Sequence, residues 1–428
     1  MGALNVVVVG AGVIGVTTAH ALCADGHQVT LLEAAPTAAC GTSHANGGLL
    51  SAAFCAPWAM PGLPRQAMSA LFDRAAPFRW RLDGSMEQLR WLRDLLANCR
   101  AEHFARHRQR MVQLALRSLV ELRVVARATG VAFDLRESGV LQLMERAPPD
   151  ALIHRRLEAL HAFGLDAQWC EPARVRELEP ALSGRGRAAW GLLVRDEACG
   201  DCERFVHGLL AWNRARGLRF VPVAPVHALE LDRSGRRLRA VRTPAQRWEA
   251  DAFVFATGVD TARILRPHLR LPVIPVKGYS VNVPLPGNEA GRGLVGPQRA
   301  VIDDTIKLAV APLGSCVRLA GMAEVVGYDK SVDVSRCEQL VQHYESLYGP
   351  LPPGARSHWA GLRPMTPDGT PIIGSTRIEA LYLNTGHGTY GWTLACGSAR
   401  LLADVLAGRS GALDPADYAL DSARRSRP

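Results

Sequence analysis

Three glycines near the N-terminus have the spacing that lets a backbone approach a phosphate. The segment Gly10-Ala11-Gly12-Val13-Ile14-Gly15 has the pattern G-x-G-x-x-G, and the apolar run 4–9 before it is rich in valine. In this pattern the first glycine permits a tight turn, the second admits a pyrophosphate, and the third lets a helix pack on a strand. The free N–H groups at the start of that helix favour phosphate oxygens. The segment is therefore predicted to bind a dinucleotide, with Gly10, Gly12, Val13, Ile14 and Gly15 in contact.

Glu33 supplies the acid that such a site uses. It follows the predicted strand 28–32, at the distance from the glycines where a carboxylate accepts a hydrogen bond from a ribose hydroxyl. An arginine in this place would favour a 2′-phosphate, so the acid argues against NADP.

Three further segments have the composition of loops that contact a flavin. The first is a polar, glycine-rich loop after Glu33, in the place where an NAD site would continue with a helical crossover. The second is the Thr-Gly at the end of strand 252–256, and the third is the glycine turn between strand 381–384 and the helix that follows. The candidate residues are Ser43, Ala45, Asn46, Gly47, Gly48, Thr257, Gly258, Gly386, His387, Gly388 and Thr389. We predict non-covalently bound FAD. The further G-x-G-x-x-G patterns, at 291–296 and 386–391, lie in a Gly/Pro-rich stretch and in the turn already assigned to the flavin. A reductase that also binds NAD(P)H is therefore disfavoured, so the electrons must leave to another acceptor.

The elements that would position these residues follow from the hydrophobic periodicity. The run 4–9 is predicted to be a strand buried on both faces of a parallel sheet. Segments 272–283 and 307–320 alternate apolar and polar residues, which is typical of a half-exposed sheet. Helical periodicity covers 86–128 as two helices, then 154–163, 171–179, 336–348 and 391–406, and several short strands are expected within 219–256. The Gly/Pro-rich stretch 284–297 is a candidate lid.

Composition excludes several classes of protein. The 428 residues are 48% hydrophobic and 21% charged, which excludes a mainly disordered chain. The net charge of +10 comes from arginines spread along the whole chain, with only 6% aromatic residues, which argues against nucleic-acid binding. The charge fits either a basic solvated surface or attraction to an anionic membrane surface. No signal peptide or membrane span is predicted, because glycines interrupt the apolar N-terminal run.

The ten cysteines have no regular spacing, so a reducing compartment and a cytoplasmic location are expected. Cys199 and Cys202 have C-x-x-C spacing, but no second pair and no histidine cluster accompany them. No metal site is predicted.

Segments along nearly the whole chain resemble the bacterial FAD-dependent D-amino acid dehydrogenases, within the group of glycine oxidase and D-amino acid oxidase. They are VVVVGAGVIGVTTAHAL, TSHANGG, APWAMPGLP, NCRAEHFARHRQRMVQLA, PVKGYSVNVP, AGMAEVVGYD, GLRPMTPDGTPIIG and LYLNTGHGTYGWTLACGSARLLADVLAGR. The resemblance implies an α/β fold, in which a Rossmann-type FAD-binding domain is interleaved with a substrate domain built on a mostly antiparallel sheet with helices. The implied bounds are 1–85, 200–266 and 355–428 for the FAD-binding domain, and 86–199 and 267–354 for the substrate domain.

The resemblance also implies site residues. Arg363, in the GLRP segment, would bind the substrate carboxylate, because a planar guanidinium pairs with a carboxylate through two hydrogen bonds. The hydroxyl of Tyr279 would donate to the same carboxylate, and Val226 would contact FAD. His387 is also a candidate general base, although its glycine neighbours favour a backbone contact with the flavin.

The implied reaction is oxidative deamination of a D-amino acid to a 2-oxo acid and ammonia. A hydride would pass from Cα to the flavin, and the electrons would continue to a quinone or respiratory acceptor at the inner face of the plasma membrane. The alternatives are a hydroxyproline or other imino-acid dehydrogenase, an oxidase that uses dioxygen, and a non-enzymatic flavoprotein bound to nucleic acid or a membrane scaffold.

Overall fold

Two large sheets organise the molecule. The computed structural model describes residues 2–63, 78–81, 83–285, 296–351 and 354–420. The strands in chain order are β1 (Asn5–Val9), β2 (Gln28–Leu32), β3 (Leu49–Leu50), β4 (Phe78–Trp80), β5 (Val140–Met144), β6 (Ala167–Cys170), β7 (Trp190–Val194), β8 (Ala198–Cys199), β9 (Arg219–Val221), β10 (Ala228–Leu231), β11 (Leu238–Arg242), β12 (Arg247–Glu249), β13 (Ala252–Phe255), β14 (Ile274–Pro284), β15 (Ala300–Asp303), β16 (Leu308–Leu313), β17 (Cys316–Val325), β18 (Ser357–Met365), β19 (Ile372–Ser375) and β20 (Leu381–Thr385).

Helices cover the sheets and connect them. In chain order they are α1 (Val13–Ala24), α2 (Met86–Ala97), α3 (Ala101–Thr129), α4 (Asp150–His161), α5 (Pro172–Leu178), α6 (Cys202–Arg214), α7 (Asp260–Leu265), α8 (Val334–Tyr348) and α9 (Gly391–Ala407). None of these described helices combines the length and the apolar character needed to cross a bilayer.

The first sheet has the order β19-β20-β13-β1-β2-β9, and all its pairs are parallel except β19 with β20. The central strand β1 is buried over Val6–Val9, as its continuous valine run predicts. Helix α1 packs against α6 and α9 on one face of this sheet and is buried along most of its length. Because parallel strands end at a common edge, the turns after β1, β2, β13 and β20 meet there.

The second sheet has the order β18-β14-β17-β16-β15-β5-β7-β6, with β4 beside β17, and is antiparallel except for the pairs β15–β5 and β4–β17. Strand β16 pairs with Cys316–Ala320 of β17, and β4 pairs in parallel with Ala323–Val325, the part of β17 that β16 leaves free. The α/β fold with a mostly antiparallel second sheet is confirmed.

Two expectations about the second sheet are wrong. The alternation in 272–283 and 307–320 predicted a half-exposed sheet, but β14, β16 and β17 are buried on both faces, because α8 covers one face and the loops of the first sheet approach the other. The segment 307–320 also contains two strands, separated by a turn at Gly314 with φ of 56°. The domain bounds remain predictions, and most of the candidate lid 284–297 lies outside the described residues.

Candidate active site

One cavity of about 2060 Å³ lies where the turns of the first sheet meet the second sheet. Small-molecule sites usually enclose roughly 300–1,000 Å³. The volume is therefore large enough for a dinucleotide together with a second ligand. The predicted cofactor segments and Arg363 all line this one cavity.

The glycine turn after β1 has the geometry that its sequence predicts. Gly10 has a φ of 100°, and a Cβ added to it would lie 2.7 Å from the carbonyl oxygen of Ala256. A Cβ at Gly15 would overlap the carbonyl oxygen of Gly10, so only glycine lets α1 start this close to β1. Gly12 is the residue before the helix, in an extended conformation. The turn leaves space for a ligand that side chains would otherwise fill.

Glu33 lies beside this turn, at the end of β2. Its Oε2 accepts a hydrogen bond from the N–H of Ala11 at 2.6 Å, and its Oε1 accepts one from Ala35 at 2.9 Å. These bonds fix the carboxylate at the cavity wall, where remaining lone pairs can accept a ribose hydroxyl.

The polar loop 41–48 is attached to both sheets. The Ser43 hydroxyl oxygen accepts a hydrogen bond from the N–H of Val13 at 2.9 Å, which satisfies one of the first N–H groups of α1. Asn46 accepts from the N–H of Gly48 through its side chain at 2.9 Å, and its carbonyl accepts from the buried Arg318 of β17 at 3.4 Å. Ala45 and Gly47 lie in the same stretch of the cavity wall.

The remaining predicted cofactor residues also line the cavity, namely Val226, Thr257, Gly258, His387, Gly388 and Thr389, whereas Gly386 packs beneath them against Thr366. The Thr385 hydroxyl donates to the carbonyl of Gly258 at 3.0 Å and so ties the turns after β13 and β20 together. The side chain of His387 is buried and its Nε2 lies 2.9 Å from the Ser398 hydroxyl. Burial lowers the pKa of His387 to about 3, so the ring is neutral and poorly suited to act as a base.

The cavity fits FAD on two structural observations. Gly10 and Gly12 line the cavity with backbone alone, and Asn384, which also lines it, has a buried side-chain oxygen without a hydrogen-bond partner. A buried acceptor without a donor is costly unless a ligand supplies one. The residues present therefore suit a polar ligand of dinucleotide size.

Arg363 lies on β18, and its guanidinium lies over Gly278 of the neighbouring strand β14. Any residue with a Cβ at position 278 would overlap the guanidinium, so only glycine leaves room for it. Its Nη1 donates to the carbonyl of Met322 at 2.7 Å, and Nη2 lies 3.5 Å from the carbonyl oxygen of Gly321. No carboxylate of the described chain pairs with it. Burial lowers its pKa to about 10, an effect that the nearby Tyr390 partly offsets, so the group is a cation at neutral pH. An unpaired buried cation is a strong attractor for a carboxylate.

The structure does not bring the Tyr279 hydroxyl to Arg363. Neighbouring residues on a strand point to opposite faces, so Tyr279 faces away from the guanidinium that lies over Gly278. Its ring packs in the core cluster with α8, and its hydroxyl donates to Glu324 Oε2 at 2.8 Å. The buried Arg336 donates to the other oxygen of Glu324 at 2.7 Å. The expected contact of this hydroxyl with a substrate carboxylate therefore has no support in the geometry.

Two residues near Arg363 escaped the sequence analysis. Met322 lies inside β17 and has a φ of 60°. It belongs to a β-bulge, because the three-residue step from Gly321 to Glu324 on β17 pairs with a two-residue step on β14. The bulge turns the Met322 carbonyl toward the guanidinium. Tyr390 follows the glycine turn, lines the cavity and lies close enough to influence the Arg363 charge. Its position directly after the turn 386–389 was the available signal. Bulge position has no comparable sequence signal.

The C-x-x-C pair, Cys199 and Cys202, is buried. All ten cysteines are free thiols, and burial raises the pKa of Cys199 to about 12 and that of Cys202 still further. Thiols this hard to ionise are poor nucleophiles and poor redox groups. Within the described ranges, no group of three or more His, Cys, Asp or Glu side chains is arranged to hold a metal ion.

Comparison with known proteins finds relatives along nearly the whole chain. The profile of the family described as FAD dependent oxidoreductase (DAO) matches residues 5–405. A D-amino acid dehydrogenase of Rhizobium johnstonii is 39% identical over 419 residues, covering 97% of this chain and 99% of the relative. A D-amino acid dehydrogenase of Cereibacter sphaeroides is 41% identical over 434 aligned positions, covering 99% of this chain and 98% of the relative.

Solved structures share the fold at lower identity. Glycine oxidase from Geobacillus kaustophilus superposes with a TM-score of 0.75 at 22% identity, over 98% of this chain and 99% of the other. L-proline dehydrogenase from P. horikoshii gives a TM-score of 0.75 at 17% identity, over 99% and 98% of the two chains.

Proposed function

We propose that this chain, which belongs to the DAO family of FAD-dependent oxidoreductases, is a D-amino acid dehydrogenase. The reaction would convert a D-amino acid to a 2-oxo acid and ammonia. The observation that supports it most is the unpaired Arg363 guanidinium, which lines the same cavity as the glycine turn after β1. The relatives named D-amino acid dehydrogenase, about 40% identical over nearly their whole length, support the substrate class.

The side chains around Arg363 position the substrate. A carboxylate bound in the plane of the guanidinium has its rotation restricted, which fixes the direction of the Cα–H bond. FAD, when bound, supplies the acceptor for the hydride that leaves Cα. The amine lone pair forms the C=N bond as the hydride leaves, and water then hydrolyses the imine to the 2-oxo acid and ammonia.

No histidine base is needed in this scheme, provided that the amine arrives neutral. His387 is already neutral and is engaged with Ser398, so it has little tendency to accept a proton. Both Tyr279 and Tyr390 line the cavity, but the Tyr279 hydroxyl donates to Glu324, whereas Tyr390 acts electrostatically on Arg363. We therefore assign Tyr390 as the hydroxyl that joins Arg363 at the substrate. Arg363 and Tyr390 would thus be the two side chains that contact the substrate.

The electron acceptor that we propose is a quinone or another respiratory acceptor at the inner face of the membrane. The pattern G-x-G-x-x-G recurs at 386–391, in the turn assigned to the flavin, and at 291–296, in a Gly/Pro-rich stretch, so the sequence offers no separate strand–turn–helix unit for a nicotinamide acceptor. The net charge of +10 would attract the protein to an anionic membrane surface.

A substrate panel with an artificial dye acceptor tests the proposed function. The purified protein should be yellow, and D-amino acids should reduce the dye equally well with and without oxygen. Hydrogen peroxide formation in place of dye reduction would indicate an oxidase. A clear preference for hydroxyprolines would indicate an imino-acid dehydrogenase.

A further inference from the structure

Aromatic side chains form the cavity wall next to Arg363. Phe78 and Trp80 are alternate residues of β4 and point to the same face, and Trp58 packs against Phe78 with ring centroids 6.1 Å apart. Phe78 and Trp80 are also 6.1 Å apart. All three rings line the cavity and are partly buried against a core cluster that includes Trp91 and Met365. They form a continuous apolar surface, which we call the aromatic wall.

The register of β4 places this wall close to the carboxylate anchor. Phe78 lies opposite Ala323 of β17, and Ala323 directly follows Met322, whose carbonyl holds Arg363 Nη1 at 2.7 Å. Paired strands lie about 5 Å apart. Phe78 is therefore one strand spacing and one residue step from the carbonyl that holds the guanidinium. The side chain of an α-amino acid leaves the atom next to its carboxylate, so a substrate bound to Arg363 would have its side chain within reach of the wall.

The chemistry of the wall favours an apolar occupant. The neighbouring lining residues Leu63, Leu92 and Leu95 are hydrocarbon, and a charged side chain would lose its hydration against this part of the surface. The indole N–H of Trp80 is buried and has no hydrogen-bond partner.

We propose that Trp58, Phe78 and Trp80 form the subsite for the substrate side chain, and that the enzyme prefers D-amino acids with large apolar or aromatic side chains. The inference rests on the proposed function, because it takes Arg363 as the carboxylate anchor. It adds the substrate class, which the motif residues do not specify.

The first test compares D-phenylalanine, D-methionine, D-alanine and D-glutamate as substrates of the holoenzyme. We expect kcat/KM for D-phenylalanine to exceed that for D-alanine by at least ~10-fold, since each added methylene in an apolar pocket contributes to discrimination. D-Glutamate should be the poorest of the four. Higher kcat/KM for D-alanine or D-glutamate than for D-phenylalanine would overturn the subsite and leave the proposed function standing. No reaction with any D-amino acid would overturn the proposed function itself.

The second test measures binding without turnover. Acetate and phenylacetate share a carboxylate and differ by the phenyl group, and their binding to the holoenzyme can be followed through the flavin absorbance. Phenylacetate should bind at least ~10-fold more tightly than acetate. Equal affinities would contradict the aromatic wall, and this comparison needs no variant.

Trp58→Ala should lower kcat/KM for D-phenylalanine roughly 10- to 100-fold and abolish the preference for phenylacetate over acetate, because it removes a large part of the apolar surface. Its kcat/KM for D-alanine should fall by a much smaller factor, because a methyl side chain contacts less of the aromatic wall. Trp212→Ala is the matched control, since Trp212 is a partly buried tryptophan outside the cavity, stacked under Arg216. Equal losses for D-phenylalanine and D-alanine in Trp58→Ala would show a general disturbance and contradict a side-chain subsite.

Discussion

Arg363 is a buried cation that the described chain leaves without an acidic partner, and its replacement is the sharpest prediction at the scale of single residues. Losing one member of a buried charge pair costs about 2–5 kcal/mol, which corresponds to roughly 30- to 4,000-fold in kcat/KM. We expect this loss in Arg363→Met for every amino-acid substrate alike, with FAD content near wild type. Arg363→Lys should restore little, because an ammonium cannot make the planar two-point contact.

The two tyrosines near the site should respond differently to loss of their hydroxyls. Tyr279 donates to Glu324 on the face that α8 covers, so Tyr279→Phe should lower the stability by about 1 kcal/mol and leave KM nearly unchanged. Tyr390 lies in the cavity beside Arg363, so Tyr390→Phe should lower kcat/KM roughly 10- to 100-fold. Thermal unfolding and steady-state kinetics of both variants check the pair. The reverse pattern would return Tyr279 to the substrate site.

Sequence reasoning located the anchor residue but not its immediate surroundings. Arg363 stands in a motif that can be read directly, whereas the Met322 carbonyl depends on a bulge that forms only when β17 pairs with β14. The position of the Tyr279 hydroxyl, bonded to Glu324, was likewise not predictable from the motif. The side-chain alternation places Gly278 and Tyr279 on opposite faces, and the face that meets the cavity is set by which elements pack on the sheet.

At the scale of elements, the turn between β1 and α1 is the feature most sensitive to added volume. A Cβ at Gly15 would overlap backbone at Gly10, which cannot move without separating α1 from β1. Gly15→Ala should therefore abolish FAD retention, measured as flavin released on denaturation per chain. Gly354→Ala is the matched control outside the cavity, because a Cβ there meets no atom within 4 Å. Retention of a full complement of FAD by Gly15→Ala would contradict the tight turn.

Glu197, between β7 and β8, holds the segment that follows β3. Its carboxylate accepts from the Ser51 hydroxyl at 2.7 Å and from the N–H of Ala53 at 2.6 Å. Burial raises its pKa from 4.5 to about 7. Between pH 4.5 and about 7 the folded protein therefore keeps a proton on Glu197 that the unfolded chain has released. The contribution of Glu197 to the free energy of unfolding is greatest below pH 4.5 and declines as the pH rises through 7.

Glu197→Gln removes this titration. As the pH rises from acidic to neutral, the Tm of the wild type should fall relative to the Tm of the variant. The glutamine can no longer accept both hydrogen bonds through equivalent oxygens, so a lower Tm throughout is also expected. Parallel Tm curves for the two proteins over this range would contradict the raised pKa.

Elements were easier to predict from sequence than the surfaces between them. Strand 28–32 and the first helix follow from local periodicity and from the glycines at their ends. The burial of β14 and β16 on both faces could not be predicted in this way, because α8 and the loops of the first sheet reach them from distant parts of the chain.

At the scale of the whole molecule, the single cavity brings together the turn after β1, the loop 41–48 and Arg363 from segments far apart in the sequence. Each was predictable by itself, but their arrangement around a common space depends on how the two sheets pack.

The protonation state of the substrate amine predicts how the rate of flavin reduction depends on pH. Only a neutral amine has the lone pair that drives hydride departure, and His387, itself neutral and hydrogen-bonded to Ser398, is a poor candidate to remove the proton. The rate of flavin reduction should therefore rise from neutral to alkaline pH.

The most direct measurement is anaerobic mixing of the purified protein with single D- and L-amino acids while the flavin absorbance is followed. We expect one FAD per chain, bleaching of the flavin by D-amino acids and little bleaching by their L-enantiomers. In Arg363→Met, bleaching at low substrate concentration should be lost. Failure of every D-amino acid to bleach a bound flavin that dithionite reduces would contradict these expectations, as would equal bleaching by the wild type and Arg363→Met.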